Sequence, residues 1–303
     1  MSLHPPRDKR VSLADAAALV GDGAIVALGG GLCARLPMAL VRELIRQRRT
    51  GLHLVGSAHS IDVDLLVAAG AVRRCEESYV GFEQDLGLAP AYRRAAEDGS
   101  IEVAESCCAT VLAQLRAAEM GVPFLPVRGV RGSDIATLHP EYAEITCPFT
   151  GETLVAVPAL RPDAALLHAP AGDRYGNLHL DQPYVLDERF ASASAMVVAT
   201  VDELVSTEEV TAAGVTIPGH LVAALSEVPY GAHPTSCYPR YAYDREHLRA
   251  YVSAAADPGD LDKYLATYVN GSEESYREAV GADRLAALTR WTESTDAWQE
   301  LFA

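Results

Sequence analysis

Short apolar runs alternate with segments of helical spacing along most of the chain. The run at 24–28, Ala-Ile-Val-Ala-Leu, follows a glycine as a buried strand should, and apolar residues recur at helical spacing after Pro37. Further strands are predicted at 52–55, 72–75, 101–105, 123–127, 153–157, 164–168, 196–201 and 221–225. Helices are predicted between them at 62–69, 90–98 and 110–121. This alternation predicts an α/β fold, an open and mostly parallel sheet covered by helices, with ligands at the carboxyl ends of the strands.

The pattern changes near residue 245. From Leu248 onward the sequence is helical and rich in charge, with breaks at Pro258-Gly259 and at Gly271. No internal repeat or low-complexity linker precedes this segment. We therefore expect an α/β domain over residues 1–245 and a helical extension over residues 246–303 that packs on the same domain.

Composition restricts the class of partner. The chain has 303 residues, 49% of them apolar, which is enough to bury a large core. A net charge of −16 argues against a nucleic-acid partner, because phosphate binding requires a positive surface. No apolar stretch approaches the roughly 18 residues of a membrane span, and the first ten residues lack a signal-peptide core. We expect a cytoplasmic protein that binds neither nucleic acid nor membranes.

The six cysteines are scattered, with no C-x-x-C motif and no Cys/His group at zinc-ligand spacing. They are predicted to be reduced thiols, and no metal site is expected. Cys107 and Cys108 are adjacent, which strains a disulfide between them.

The densest cationic cluster is formed by Arg42, Arg46, Arg48 and Arg49. An acidic chain that handles an anionic ligand needs such a patch, or it borrows one from another subunit. The cluster equally fits a helix end whose solvated arginines face the helix dipole.

A triple glycine, Gly29-Gly30-Gly31, separates the first predicted strand from the helix after Pro37. Backbone N–H groups at such a turn favour a thioester oxygen, a carboxylate or a phosphate. The alternative is a tight turn packed closely on its neighbours. The chain has neither G-x-G-x-x-G at this turn nor a P-loop, so a nucleotide-binding fingerprint is not supported.

Two further positions suggest chemistry. Glu105 ends a predicted strand and enters a helix, where a carboxylate suits acid, base or nucleophilic work, or simply the favourable start of a helix. Residues 171–177, which end in Asn177, are predicted to form a hairpin turn whose polar groups can contact a ligand.

Four segments, taken in order and spacing, resemble the α subunit of a family I coenzyme A transferase of the glutaconate type. They lie at 29–44, 121–134, 147–177 and 228–244, and the resemblance extends from about residue 13 to about residue 244. It implies the CoA-transferase (NagB/RpiA-like) fold, with α and β subunits of shared architecture that place the active site between them. Coenzyme A is then a substrate and no cofactor is permanently bound.

The resemblance also implies that the catalytic nucleophile lies on the β subunit and not on this chain. In the family, a β-subunit glutamate attacks the acyl-CoA thioester, the acyl-glutamyl anhydride becomes a glutamyl-CoA thioester, and the incoming carboxylic acid takes the CoA. This chain lacks the Ser-Glu-Asn-Gly signature of that nucleophile, since Val269 stands where the acid would precede Asn270-Gly271. It is therefore interpreted as half of an enzyme, active only with a β-type partner as an αβ or α2β2 assembly.

By the same resemblance, Gly29, Gly30 and Gly31 match the turn that faces the acyl group. Ser133 and Asn177 are candidates for acyl or pantetheine contacts.

Relatives that are not transferases leave other functions open. Glu105 matches an acidic position of the α subunit in a steroid-ring-opening CoA hydrolase, where it would act as a base, and a decarboxylase of glutaconyl-CoA type is a further alternative. His233 lies in a segment that matches the glutaconate enzyme and is a candidate for a substrate carboxylate, or else a hydrogen-bonded structural histidine. A non-catalytic, ligand-sensing member of the fold is the remaining alternative.

Overall fold

A computed structural model describes residues 7–82, 86–181 and 184–292, so the end of the predicted helical extension, 293–303, lies outside the described residues. Its strands are β1 (Ile25–Leu28), β2 (Leu52–Val55), β3 (Ala58–His59), β4 (Val72–Glu76), β5 (Tyr79–Val80), β6 (Glu102–Val103), β7 (Phe124–Val127), β8 (Ala143–Thr146), β9 (Thr153–Pro158), β10 (Ala164–Gly172), β11 (Leu178–His179), β12 (Val197–Leu204) and β13 (Val222–Glu227). Its α-helices are α1 (Leu13–Ala18), α2 (Met38–Arg46), α3 (Ile61–Ala68), α4 (Pro90–Asp98), α5 (Cys108–Met120), α6 (Ile135–Leu138), α7 (Asp187–Ala193), α8 (Thr207–Ala213), α9 (Arg245–Ala255), α10 (Pro258–Tyr268), α11 (Glu273–Val280) and α12 (Ala282–Thr289). Short 3₁₀ turns lie at Gly219–Leu221 and Arg290–Thr292.

The main sheet has the strand order β13-β12-β10-β1-β2-β4-β6, all parallel, and β11 pairs antiparallel with the end of β10. From β1 the successive strands β2, β4 and β6 are added toward one edge of the sheet, whereas from β10 the strands β12 and β13 are added toward the opposite edge. The direction therefore reverses between β1 and β10, and the crevice at the carboxyl ends of such strands is where open α/β sheets bind ligands. The predicted α/β class and mostly parallel sheet are confirmed.

Two of the predicted strands belong elsewhere. β7 and β9, together with β8, form a separate antiparallel sheet in the order β7-β9-β8. The prediction of buried strands within one parallel sheet was wrong here, because an apolar run reads the same whichever neighbours pair with it. The predicted strand at 101–105 is also shorter than expected, since only Glu102–Val103 pairs with β4.

Helices cover both faces of the main sheet. Along β1, Val26 and Leu28 join one apolar core with α1 to α4, α9 and α10, whereas Ala27 joins a second core with α5 and α7. This alternation follows from the two-residue period of a strand. The carboxyl ends of the strands remain at one edge between the two layers.

Besides the apolar contacts of α9 and α10, a buried ionic cluster joins the C-terminal helix α11 to α2. The Arg42 side chain is 2% exposed, and its Nη2 lies 2.5 Å from Oε2 of Glu273. The Arg42 guanidinium also lies 3.7 Å from the centre of the Tyr276 ring, and Arg46 pairs with Glu273 at 3.0 Å. The sequence predicted that these arginines either bind an anionic ligand or face solvent. Arg42 and Arg46 do neither, because both side chains are engaged in the ion pairs with Glu273.

Among the helices of the described ranges, none has both the length and the apolar character needed to cross a bilayer.

Candidate active site

The glycine turn follows β1 at the point where the direction of the sheet reverses. The N–H of Gly29 donates to Leu166 O at 2.9 Å, that of Gly30 to Asp187 Oδ1 at 2.9 Å, and that of Gly31 to Ala34 O at 3.0 Å. The expectation that these amides are open to a ligand is therefore wrong in this structure. The turn instead offers a backbone surface without side chains.

Close packing explains why two of these residues are glycines. A Cβ on Gly29 would collide with the side chain of Leu167. Gly30 has φ +74°, and its Cβ would collide with the backbone oxygen of Ala34 and lie 2.6 Å from that of Arg35. The tight-turn alternative thus describes Gly29 and Gly30.

A buried carboxylate holds the turn in shape. Asp187, at the start of α7, is fully buried. Besides the Gly30 amide it accepts the N–H of Val185 at 3.3 Å, and its Oδ2 lies 3.2 Å from Nη2 of Arg35. Arg35 is itself only 3% exposed. Two segments that are distant in sequence, 30–35 and 185–187, are therefore joined by this side chain.

Gly31 faces an open cleft of about 320 Å³, which we call the glycine-turn cleft. A Cβ on Gly31 would meet the methyl groups of Val185 at 3.1 and 3.2 Å, a tight contact with an exposed side chain. The residues that line the cleft are Gly31, Leu32, Cys33, Ala34, Ala58, Val185, Ser236, Tyr238 and Tyr243.

Glu105 lies at the same edge, just after β6, with an exposed side chain. Its carbonyl oxygen accepts a hydrogen bond from Nε2 of His139 at 2.8 Å. The imidazole of His139 is buried and stacks on Tyr142 with 4.4 Å between ring centres. The backbone at Glu105 is thus fixed while its carboxylate is free to meet a ligand, and its catalytic role stays a prediction.

The sequence identified Cys108 only as the neighbour of Cys107, and did not predict that its thiol would lie near Glu105 at this edge. Cys108 is exposed at the first turn of α5, and the Ser57 hydroxyl donates to its sulfur at 3.1 Å. Hydrogen bonds from Ser57 and then Ser78 lower the pKa of the Cys108 thiol. Ser57 belongs to the segment after β2, so the carboxyl ends of β2 and β6 meet here.

A buried acid was also missed. Glu77, which follows β4, is 5% exposed, and neither carboxyl oxygen has a hydrogen-bond partner among the described residues. Burial raises the pKa of Glu77 to about 8. His59 is fully buried nearby, with Nδ1 2.6 Å from Oδ2 of Asp62. Burial alone would lower the pKa of His59, but the Asp62 carboxylate outweighs it and raises that pKa to about 9. The only sequence signal was a run of polar residues after each strand.

Two other predicted site residues are already engaged in hydrogen bonds within the chain. Ser133 is exposed in the loop before α6, and its hydroxyl donates to Val130 O at 2.8 Å. The amide of Asn177 donates to Asp173 Oδ2 at 2.8 Å and accepts the N–H of Gly219 at 2.9 Å, so it shapes the hairpin turn between β10 and β11. The structure therefore gives Asn177 a structural role and leaves its ligand contact untested.

His233 is sealed from solvent. It is 0% exposed, with Nδ1 2.7 Å from the Tyr276 hydroxyl and Nε2 3.1 Å from Oδ2 of Asp244. The expected contact with a substrate carboxylate has no access here. His233 is therefore a hydrogen-bonded structural histidine, the alternative that the sequence left open.

Two buried groups within the described ranges bring three metal-ligand atoms within 4.8 Å of one another: His168, Asp202 and Cys237, and His233, Asp244 and His247. In the second group Arg284 binds both oxygens of Asp244, at 2.7 and 3.0 Å. In the first, His168 bonds Thr200 at 2.8 Å and lies 3.4 Å from Asp202. These contacts account for the second group as a hydrogen-bonded network. In the first group, His168 Nε2 and Asp202 Oδ2 have no hydrogen-bond partner among the described residues.

Comparison with known proteins identifies the family. A model described as coenzyme A transferase matches residues 10–227. The cholesterol ring-cleaving hydrolase IpdA subunit of Rhodococcus jostii is 35% identical over 286 residues, 90% of this chain and 96% of that protein. An uncharacterized Archaeoglobus fulgidus protein is 34% identical over 93% of this chain, which spans only 65% of that protein.

Solved structures agree. Glutaconate coenzyme A-transferase from Acidaminococcus fermentans superposes with a TM-score of 0.87 at 30% identity, covering 92% of this chain and 95% of that one. The decarboxylase AibA/AibB superposes with a TM-score of 0.79 at 36% identity, covering 85% of this chain and 98% of that one. The chain therefore belongs to the coenzyme A transferase family, as an α-type subunit.

Proposed function

We propose that this chain is the α subunit of a two-subunit enzyme that transfers coenzyme A between an acyl-CoA and a carboxylic acid. The shared fold with glutaconate coenzyme A-transferase, over nearly the whole chain, carries this proposal. The nucleophilic glutamate is expected on a β-type partner, and the edge that bears the glycine turn and Glu105 would close the active site from the α side.

A second function is supported by one specific observation. Glu105 presents an exposed carboxylate on a backbone held by His139, and the relative from Rhodococcus is named a ring-cleaving hydrolase. A fixed backbone with a free carboxylate suits a general base that activates water or substrate. In that case water activated by Glu105 cleaves a carbon–carbon bond of the acyl group, the CoA thioester is retained, and no acceptor acid is needed.

Replacement of Glu105 separates the two functions. If the reaction is transfer by a partner glutamate, Glu105→Gln in the αβ complex lowers the rate only about tenfold, through altered electrostatics. If Glu105 is the base, the same change costs roughly two to four powers of ten. The rate is followed by mass spectrometry of the acyl-CoA substrates and products, with and without an acceptor acid, so that both a transferred CoA and a cleaved acyl group are detected.

Glu102→Gln is the matched control. Glu102 is an exposed carboxylate three residues earlier that pairs with Arg74 outside the proposed site, so its removal should leave turnover within about twofold. Exchange that requires an acceptor and survives Glu105→Gln supports transfer. Turnover that needs no acceptor and is lost in Glu105→Gln supports hydrolysis, and no reaction with any acyl-CoA contradicts both.

A further inference from the structure

The described residues give the glycine-turn cleft no charged wall. Its nine lining residues include no carboxylate, guanidinium, ammonium or imidazole. The nearest cation along the chain is Arg35, which is 3% exposed and faces Asp187 at 3.2 Å. Ser236 is polar, but its hydroxyl donates to Cys33 O at 3.1 Å. A group with a free charge would enter this cleft without a counter-charge from the described residues.

The wall is also preformed. The ring of Tyr238 packs edge-on against Trp291 with 4.8 Å between ring centres. Gly31 and Ala34 exchange backbone hydrogen bonds at 3.0 Å in both directions. A cleft with fixed walls loses less conformational entropy when a ligand enters, which favours binding.

One side of the cleft adjoins the segment that carries Glu105. Ala58 lines the cleft, and the preceding residue, Ser57, donates to Cys108, three positions after Glu105. A thioester held between the two would place its acyl group in the cleft and its reacting carbon toward Glu105 and the partner.

We propose that the glycine-turn cleft binds the acyl part of the CoA thioester, and that this acyl part is a bulky, uncharged hydrocarbon group. The inference rests on the proposed function and specifies its substrate class. An apolar cavity of about 150 Å³ holds benzene, so a cleft of about 320 Å³ has room for roughly twice that bulk. A terminal carboxylate is disfavoured because it would lose water without gaining an ionic partner.

A matched pair of thioesters tests the charge. Glutaryl-CoA and 5-methylhexanoyl-CoA have nearly the same shape, because two methyl groups replace the two carboxylate oxygens. With the αβ complex, kcat/KM should be at least about tenfold higher for 5-methylhexanoyl-CoA. Equal or better use of glutaryl-CoA overturns the inference and leaves the proposed function standing. Failure of both thioesters, and of acetyl-CoA, overturns the proposed function itself.

Narrowing the cleft tests its location. Ala34→Leu adds three carbons to the wall and should raise KM for 5-methylhexanoyl-CoA at least about tenfold, with kcat and the kinetics for acetyl-CoA changed less than about threefold. Ala58→Leu narrows the cleft from its other side and replaces the first variant if that one does not fold by circular dichroism. Ala212→Leu, an exposed change on α8, is the matched control and should leave both substrates unaffected. Equal losses for both substrates in the folded cleft variants, or no loss for either, would overturn the assignment of the cleft.

Discussion

Asp187 lies 157 positions from Gly30 in sequence, yet it fixes the shape of the glycine turn. One oxygen accepts the Gly30 amide at 2.9 Å, and the other lies 3.2 Å from Arg35 and 3.3 Å from the amide of Val185. Asp187→Asn keeps the size of the side chain but removes its charge. The amide group can replace one acceptor, whereas its NH₂ then faces the N–H groups of Arg35 and Val185.

The cost of this change follows from burial. Asp187 is fully buried and Arg35 is 3% exposed, so the change removes one charge of a buried ion pair. Removing one partner of a buried ion pair costs about 3–5 kcal/mol. Because asparagine keeps one acceptor, we expect a loss of about 3 kcal/mol, which lowers the melting temperature of a chain of 303 residues by roughly 5 °C.

Asp8→Asn is the matched control, because Asp8 pairs with Arg10 on the surface at 2.6 Å with side chains 45% and 52% exposed. It should leave the melting temperature within about 1 °C of the parent chain. Thermal and urea unfolding of both variants measure the difference. A melting temperature for Asp187→Asn within about 2 °C of the parent would refute the claim that this carboxylate holds the turn.

Two further predictions concern the same edge of the sheet. Gly30→Ala forces a side chain into φ +74° and against the backbone oxygens of Ala34 and Arg35, so it should lower the melting temperature by several degrees. Gly31→Ala meets the exposed Val185 side chain and, at the ordinary contact distance of 3.4 Å, the backbone oxygen of Ala58, so it should keep stability while weakening acyl-CoA use. Thermal unfolding and KM measure the two effects. Equal destabilisation by both changes would contradict this distinction. Burial raises the pKa of Glu77 in the folded chain to about 8, so as pH rises Glu77 loses its proton in the unfolded chain before it does so in the folded chain. The free energy of unfolding therefore declines as pH rises from about 5 to 8, at up to about 1.4 kcal/mol per pH unit. Glu77→Gln should flatten that decline in urea unfolding at about pH 5, 6.5 and 8, and an unchanged slope would exclude Glu77 as its source.

The sequence predicted the main sheet well because its signals are local. Buried parallel strands are continuous apolar runs, and β1, β10 and β12 each contain one. Pairing is not local, however. The run at 153–157 is as apolar as that at 164–168, yet the first pairs antiparallel outside the main sheet and the second lies at its centre. Nothing in either run states which neighbour it will meet.

In the candidate site too, the features set by local sequence were predicted, and those set by distant segments were not. The position of the glycine turn and of Glu105 at strand ends followed from local pattern. The hydrogen bonds that occupy the glycine amides did not, because the carboxylate of Asp187 comes from a distant helix. His233 shows the opposite error, since a motif match suggested a ligand contact, while Tyr276 and Asp244 enclose the ring. Burial by distant segments is what the sequence could not show.

The ionic cluster around Arg42 bears on how an acidic chain can serve an anionic substrate. The phosphates of coenzyme A need cationic contacts, and the chain carries a net charge of −16. The arginine cluster was the expected source of these cationic contacts. However, Arg42 binds Glu273 and the carbonyl oxygen of His233, and Arg46 binds Glu43 and Glu273. Those side chains stabilise the packing of the C-terminal helices and are not offered to a ligand. The phosphate contacts are therefore expected from the β-type partner, which is a physical reason, independent of the missing nucleophile, to expect that the isolated chain binds CoA weakly and is inactive.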